Sequence, residues 1–304
     1  MTILSCLLMV SCGGKGQKPQ TLDKRTKALT MPTIPAMITN QTDRADYLAA
    51  RFWDNFDFLD STLIDTPDFA EQAFVNYIDI FPHVSEQALK LSIGKTLEST
   101  LVDPKMFVYF LSLFEKYLYD PLSPMRNEEY YAIAIEYIIA SQEVDELDKV
   151  RPRFQLAQVN KNRKGMISVD FTYTMSNGKQ GTMHKVNSEF LILFFNNPGC
   201  GACADYQQGL VYSPIVSQMT ERGRLKILAM YVDEDFEAWE QHCADFPESW
   251  INGYDASIAI RGQDLYDLRA IPSLYLLDKD KRVMLKDAEP HQVEELLLYI
   301  LQNF

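Results

Sequence analysis

One stretch limits the fold more than any other. Six consecutive apolar residues, Phe190 to Phe195, are followed after a short polar turn by Cys200-Gly201-Ala202-Cys203. An unbroken apolar run of this length suits a central strand buried on both faces of a sheet. A helical pattern through Leu210 to Met219 comes after the cysteines. The pair therefore stands at the exit of a buried strand and the entrance of a helix. At a helix N-terminus, free N–H groups and the macrodipole favour a thiolate on the first cysteine. The second lies one turn on, within disulfide reach. An attacking thiolate can form a mixed disulfide that its neighbour resolves.

The surrounding pattern predicts a sheet crossed by helices. Ile167, Val169 and Phe171 alternate with Ser168, Asp170 and Thr172, as in a half-buried strand, and Asn177-Gly178 is a hairpin turn signal. Leu225 to Val232 reads as a second buried strand, and Phe236, Trp239 and Gln241 continue into a helix. Ile271-Pro272 leads into a third strand over Ser273 to Leu277. A polar turn, Asp278 to Lys281, precedes a fourth strand over Arg282 to Leu285. Val293, Leu296, Leu297 and Ile300 mark a closing helix. The expected order is β, β, α, β, α, β, β, α.

A C-x-x-C after a buried strand, with Ile-Pro before a later strand, resembles the thioredoxin superfamily, in particular the membrane-anchored TlpA/ResA-like thiol–disulfide oxidoreductases. The resemblance covers about residues 166–304. It implies a central mixed β-sheet flanked by helices, with Cys200 as nucleophile and Cys203 as resolving thiol. Ile271 and Pro272 would form the substrate-facing loop, with the proline in the cis form. It further implies protein thiols or disulfides as substrates and an upstream membrane electron donor. No cofactor is expected beyond a redox-active Cys200–Cys203 disulfide. The 72 residues from Cys200 to Pro272 exceed a minimal thioredoxin. Trp239 to Gly262 therefore resembles the insertion of the extracytoplasmic members. Two positions depart from the family pattern. Gly199 stands where thioredoxin has Trp, and Phe194 where a buried Asp often moves protons. Asp205 and Glu189 are the nearest acids in sequence.

Other readings of the cysteines fit less well. A structural disulfide in an inert scaffold needs the same fold without the chemistry. A zinc site from Cys200, Cys203, His242 and Cys243 lacks the two spaced pairs of structural sites. Haem attachment needs His after the second cysteine, where Ala204 stands. Peroxiredoxins carry Thr or Ser where Asn197 is found. Cys243 is expected to be a buried helix thiol.

Residues 44–150 contain no cysteine and read as an α-helical bundle. Thr42 can cap a helix with Leu48, Phe52, Phe56 and Leu59 on one stripe. Thr66-Pro67-Asp68, Ser85, Asp103-Pro104 and Asn127 signal four more starts. The overall expectation is an N-terminal α-helical bundle followed by an α/β thioredoxin-like fold, joined by a charged bridge at 151–165. The segment also resembles a helical domain of unknown function that precedes thioredoxin-like domains in lipoproteins of Gram-negative anaerobes. Tyr47-Leu48, the run Phe52 to Phe56 and above all Tyr117 to Glu128 carry that resemblance.

The first residues look like an address. Ile3 to Val10 is a short apolar stretch, ending in Ser11-Cys12-Gly13-Gly14. This resembles a bacterial lipoprotein signal, which implies that residues 1–11 are removed and that Cys12 is lipidated. Residues 12–43, rich in Gly, Lys, Gln, Thr and Pro, read as a flexible tether. The implied location is a periplasm-facing membrane of a Gram-negative bacterium, where disulfides persist. The net charge is −13, and residues 13–43 carry +3, which leaves about −16 for the folded remainder. Nucleic acid as a partner is thereby disfavoured, because phosphates need a basic surface. Two functions follow. One is a membrane-tethered thiol–disulfide oxidoreductase. The other is a non-catalytic binding lipoprotein, in which the helical domain recognises a partner and the thioredoxin-like scaffold displays it.

Overall fold

The computed structural model describes residues 28–65 and 67–303. The expected signal segment, Cys12 and the Thr66 start signal lie outside the described residues. Among the described residues, no helix is long and apolar enough to cross a membrane.

The helical part comprises α1 (Gln41–Arg51), α2 (Pro67–Asp79), α3 (Glu86–Thr100), α4 (Pro104–Leu118), α5 (Glu128–Ala140) and α6 (Val150–Val159). Ser85, Asp103 and Asn127 cap α3, α4 and α5, each accepting a first-turn N–H. Aromatic rings fill the core: Trp53 meets Phe52, Phe56, Tyr77 and Phe110 at centroid distances of 5.1–5.4 Å. Such edge-on contacts match the ring quadrupoles.

Three expectations are corrected here. Asn40, not Thr42, caps α1, and the helix stops at Arg51 rather than running on to Leu59. Beyond it, the Asp57 and Asp60 side chains accept the N–H groups of Leu59 and Thr62. Such local bonds compete with a helix, and Leu59 ends up exposed. The end of the expected tether is ordered: Leu29 packs on the helical core and Asn55 donates to the Thr30 carbonyl. The expected bridge contains α6. Its buried face carries Pro152, Gln155 and Gln158 as well as Val159, so it shows no apolar period. Tyr131 of α5 donates to Gln155 Oε1 at 2.8 Å, which satisfies the buried amide oxygen.

The C-terminal part comprises β1 (Thr172–Met175), β2 (Gln180–Thr182), β3 (Phe190–Phe195), α7 (Gly201–Tyr212), α8 (Pro214–Glu221) and β4 (Leu225–Tyr231). It continues with α9 (Phe236–His242), β5 (Ile251–Tyr254), α10 (Ala259–Gly262), β6 (Ser273–Asp278), β7 (Val283–Leu285) and α11 (Pro290–Asn303). The seven strands form one mixed sheet in the order β2-β1-β5-β4-β3-β6-β7. β3 pairs parallel with β4 and antiparallel with β6. All six β3 residues are buried, with apolar clusters on both faces. Gly178 closes the β1–β2 hairpin at φ +78, a conformation open to glycine.

The sequence pattern misplaces or omits some elements. The strand expected at Ile167 begins at Thr172, and Ile167 makes only an isolated bridge to Arg282. The single helix expected through Met219 breaks at Ser213-Pro214, where Pro214 opens α8. The expected insertion holds a strand, β5, which joins β4 to β1 and extends the sheet.

Candidate active site

The β3 strand ends at Phe195, and the turn Asn196–Gly199 delivers Cys200 to the N-cap of α7. Gly199 takes φ +70, which lets the chain reverse there. Cys200 is half-buried, and its Sγ accepts the backbone N–H of Cys203 at 3.2 Å. Cys203 is buried. Burial pushes its thiol up to about 12, and a hydrogen bond to Cys200 adds to the shift. Both cysteines are free thiols. The site thus holds one accessible sulfur supported by a helix N-terminus and one sheltered sulfur that keeps its proton.

Ser273 opens β6 directly opposite Phe195. The preceding Ile271-Pro272 bond is cis. Ile271 packs against the apolar cluster that contains Cys203. The sheet register thus brings the expected substrate loop and the cysteine turn to the same edge.

An open cleft of about 270 Å³ lies beside the cysteines, lined by Asn197, Cys200, Cys203, Trp239, His242 and Phe246 among others. Asn197 donates to Asp233 at 2.8 Å, while its Oδ1 is buried without a partner. His242 donates from Nδ1 to the Ala238 carbonyl at 2.8 Å. Neither Asn197 nor the aromatic wall follows from the motif, although Trp239 and His242 lie in the stretch that resembles an insertion. Cys243, expected as a buried helix thiol, is instead half-exposed in a 3-10 turn after α9. Among the described residues, no group of three or more His, Cys, Asp or Glu could hold a metal ion.

The two nearby acids do not replace the missing strand aspartate. Phe194 is fully buried, Asp205 is exposed, and Glu189 pairs with Arg224 at the start of β3. A different carboxylate stands behind the loop. Asp287 accepts from Ser273 Oγ at 2.6 Å and from Arg126 of the helical part at 2.8 Å. Burial raises Asp287 above the ordinary carboxylate value of 3.8, against the opposing pull of Arg126. Tyr206 of α7 packs against the apolar cluster that contains Cys203; burial raises its hydroxyl, and the charges of Glu289, Asp287 and Cys203 add to that.

Comparison with known proteins places the chain. The family described as Domain of unknown function (DUF5106) matches residues 11–162. The crystal structure of a thioredoxin-like protein from Bacteroides caccae is 45% identical, with a TM-score of 0.86, over 89% of this chain and 98% of that one. The C-terminal domain of an uncharacterized protein from Bacteroides fragilis is 48% identical, with a TM-score of 0.45, over 45% of this chain and 99% of that one. A conserved protein of unknown function from the same species is 37% identical, with a TM-score of 0.43, over 44% and 98%. No curated protein matches the chain. The chain belongs to the DUF5106 family and is a thioredoxin-like protein with this domain of unknown function at its N-terminus.

Proposed function

We infer that the chain exchanges thiols and disulfides with protein substrates through Cys200 and Cys203. The observation that carries this reading is the asymmetry of the two thiols. Cys200 is accessible and accepts a helix N–H, while Cys203 is buried and its thiol is pushed up to about 12. A thiolate on Cys200 attacks one sulfur of a partner disulfide. A Cys200–partner bond forms, and the partner's other sulfur leaves as a thiolate that takes up a proton. Cys203 then gives up its proton and attacks Cys200 Sγ. The intramolecular disulfide closes and the second partner thiolate departs. The partner gains two electrons and two protons, and the pair becomes a disulfide. A dithiol donor at the membrane returns the two electrons by the same steps in reverse.

The apolar stretch that ends in Ser11-Cys12-Gly13-Gly14 supports a periplasm-facing membrane location in a Gram-negative cell, with an acyl group on Cys12 as the anchor. The test is direct. The reduced protein should reduce a model protein disulfide, Cys200→Ser should abolish the reaction, and Cys203→Ala should accumulate mixed disulfides on Cys200. Absence of exchange in the reduced wild type, with both thiols titratable, would leave a binding protein on a thioredoxin-like scaffold.

A further inference from the structure

The most specific stretch of the helical domain, Tyr117 to Glu128, has no role in the exchange steps above, yet it ends on the thioredoxin-like part. Arg126 Nη2 bonds Glu128 at 2.7 Å and Asp287 at 2.8 Å. Glu128, at the first position of α5, also takes Arg269 at 2.9 Å and Lys286 at 2.8 Å. Arg269 in turn holds Asp267 at 2.6 Å and lies 3.8 Å over the ring of Tyr119. Three cations and three carboxylates thus close a network between the two parts. Arg126 is 17% exposed, and Glu128 and Asp287 10% each.

The network is tied to one short piece of chain. Asp287 accepts the hydroxyl of Ser273, itself 2% exposed. Ser273 follows Ile271-Pro272 directly and pairs with Phe195, the last residue of β3 before the cysteine turn. On the other flank, Asp267 and Arg269 precede the same loop by a few residues. The loop is therefore held at both ends by groups that meet the helical domain. Buried charges keep fixed places only when each is paired and hydrogen-bonded. Arg126 and Glu128 are the partners that the thioredoxin-like part does not itself supply.

We propose that Arg126 is a positioning residue for the redox site, acting through Asp287 and Ser273 to hold the Ile271–Ser273 strap against the cysteine turn. Its consequence for activity rests on the thiol–disulfide reading. The helical domain is then the rear wall of the substrate loop. Protein substrates, which must lie along the strap, depend on Arg126. Small reagents, which need only Cys200, do not.

The experiment compares full-length wild type with Arg126→Met, Arg126→Lys, Ser273→Ala and, as a control in the helical domain, Lys116→Met, which breaks a surface pair with Glu71. Amide hydrogen exchange is followed at residues 269–275 and 286–288, with β3 as internal reference. Losing one buried bond should speed local opening by about tenfold. Arg126→Met and Ser273→Ala should show that acceleration while β3 stays protected. Arg126→Lys should recover most of the protection, and Lys116→Met should leave it unchanged. Ser273→Ala keeps the test open should Arg126→Met fail to fold. In parallel, Arg126→Met should raise KM for a disulfide-bridged peptide and leave alkylation of Cys200 by a small reagent unaltered. Unchanged strap protection in both Arg126→Met and Ser273→Ala would overturn the proposal, as would equal loosening by Lys116→Met. A strap that loosens as expected in both variants, beside a wild type that exchanges no peptide disulfide, would sustain the positioning role and reject the thiol–disulfide reading.

Discussion

Two thiols three residues apart differ because one caps a helix and the other enters the core. For Cys203, burial opposes the anion, and its thiol is pushed up to about 12. In the reduced protein, an alkylating reagent should therefore spare Cys203 and fall on the more accessible Cys200 at pH values well below about 12, since a buried, protonated thiol does not react. Mass analysis of the labelled peptide checks this, and equal labelling of both would refute the assignment of roles. Asp287 is the second residue whose environment sets a measurable sign. Its carboxyl is raised in the fold by burial, so the folded state holds the proton more tightly than the unfolded chain. Stability then falls as pH rises from 3.8 toward the folded value. Asp287→Asn cannot ionise and should escape that fall. The variant should match wild type near pH 4 and gain on it by about 1.4 kcal/mol per pH unit through the window. Urea unfolding at stepped pH reads the difference, and parallel pH profiles would show that Asp287 ionises freely in the fold.

At the scale of elements, the buried β3 strand, the C-x-x-C turn and the proline before β6 were legible because each depends on a short, local pattern. Six apolar residues can only lie between two covered faces, and two cysteines at that spacing must share one helical turn. The elements that escaped are those whose burial is polar or shared. α6 faces its neighbours with Gln155 and Gln158, and four-residue β5 gains its place from β4 and β1. Likewise, Phe194 announces that no carboxylate stands under the cysteines, but only folding brings Asp287 and Arg126 together across 161 residues. Asn162, just beyond α6, shows how such joints are made. It is buried at φ +48, donates to the Leu265 carbonyl at 2.9 Å and accepts the Val169 N–H at 2.7 Å. Asn tolerates that left-handed conformation better than Ala does. Asn162→Ala should cost about 2–4 kcal/mol, two bonds plus the backbone penalty. Asn162→Gly, which loses the same bonds without the Cβ strain, should cost less in equilibrium unfolding. A glycine variant as damaged as the alanine one would place the whole effect in the side-chain bonds.

The whole molecule is acidic, with a net charge of −13, and that charge is unevenly placed relative to the cysteines. From Ile227 to Ile260 there is no Lys or Arg, while eight Asp and Glu fall in the same stretch. Asp233 is paired with Arg261, and Asp255 is buried in its own turn. Glu234, Asp235, Glu237, Glu240, Asp245 and Glu248 remain exposed. This segment includes α9 and the Trp239, His242 and Phe246 wall of the cleft beside Cys200. A field of one sign around a cleft raises the local concentration of oppositely charged partners and their rate of encounter. A disulfide flanked by Lys or Arg should thus reach Cys200 faster than the same disulfide flanked by Glu. Long-range steering fades with salt, because the Debye length shrinks from about 30 Å at 0.01 M to about 3 Å at 1 M. Two peptides that differ only in those flanking residues provide the measurement. Their exchange rates with the reduced protein should differ by about tenfold or more at low salt and converge at high salt. A salt-independent ratio would assign any preference to direct contacts in the cleft. A ratio near one at low salt would mean that the acidic rim serves solubility alone.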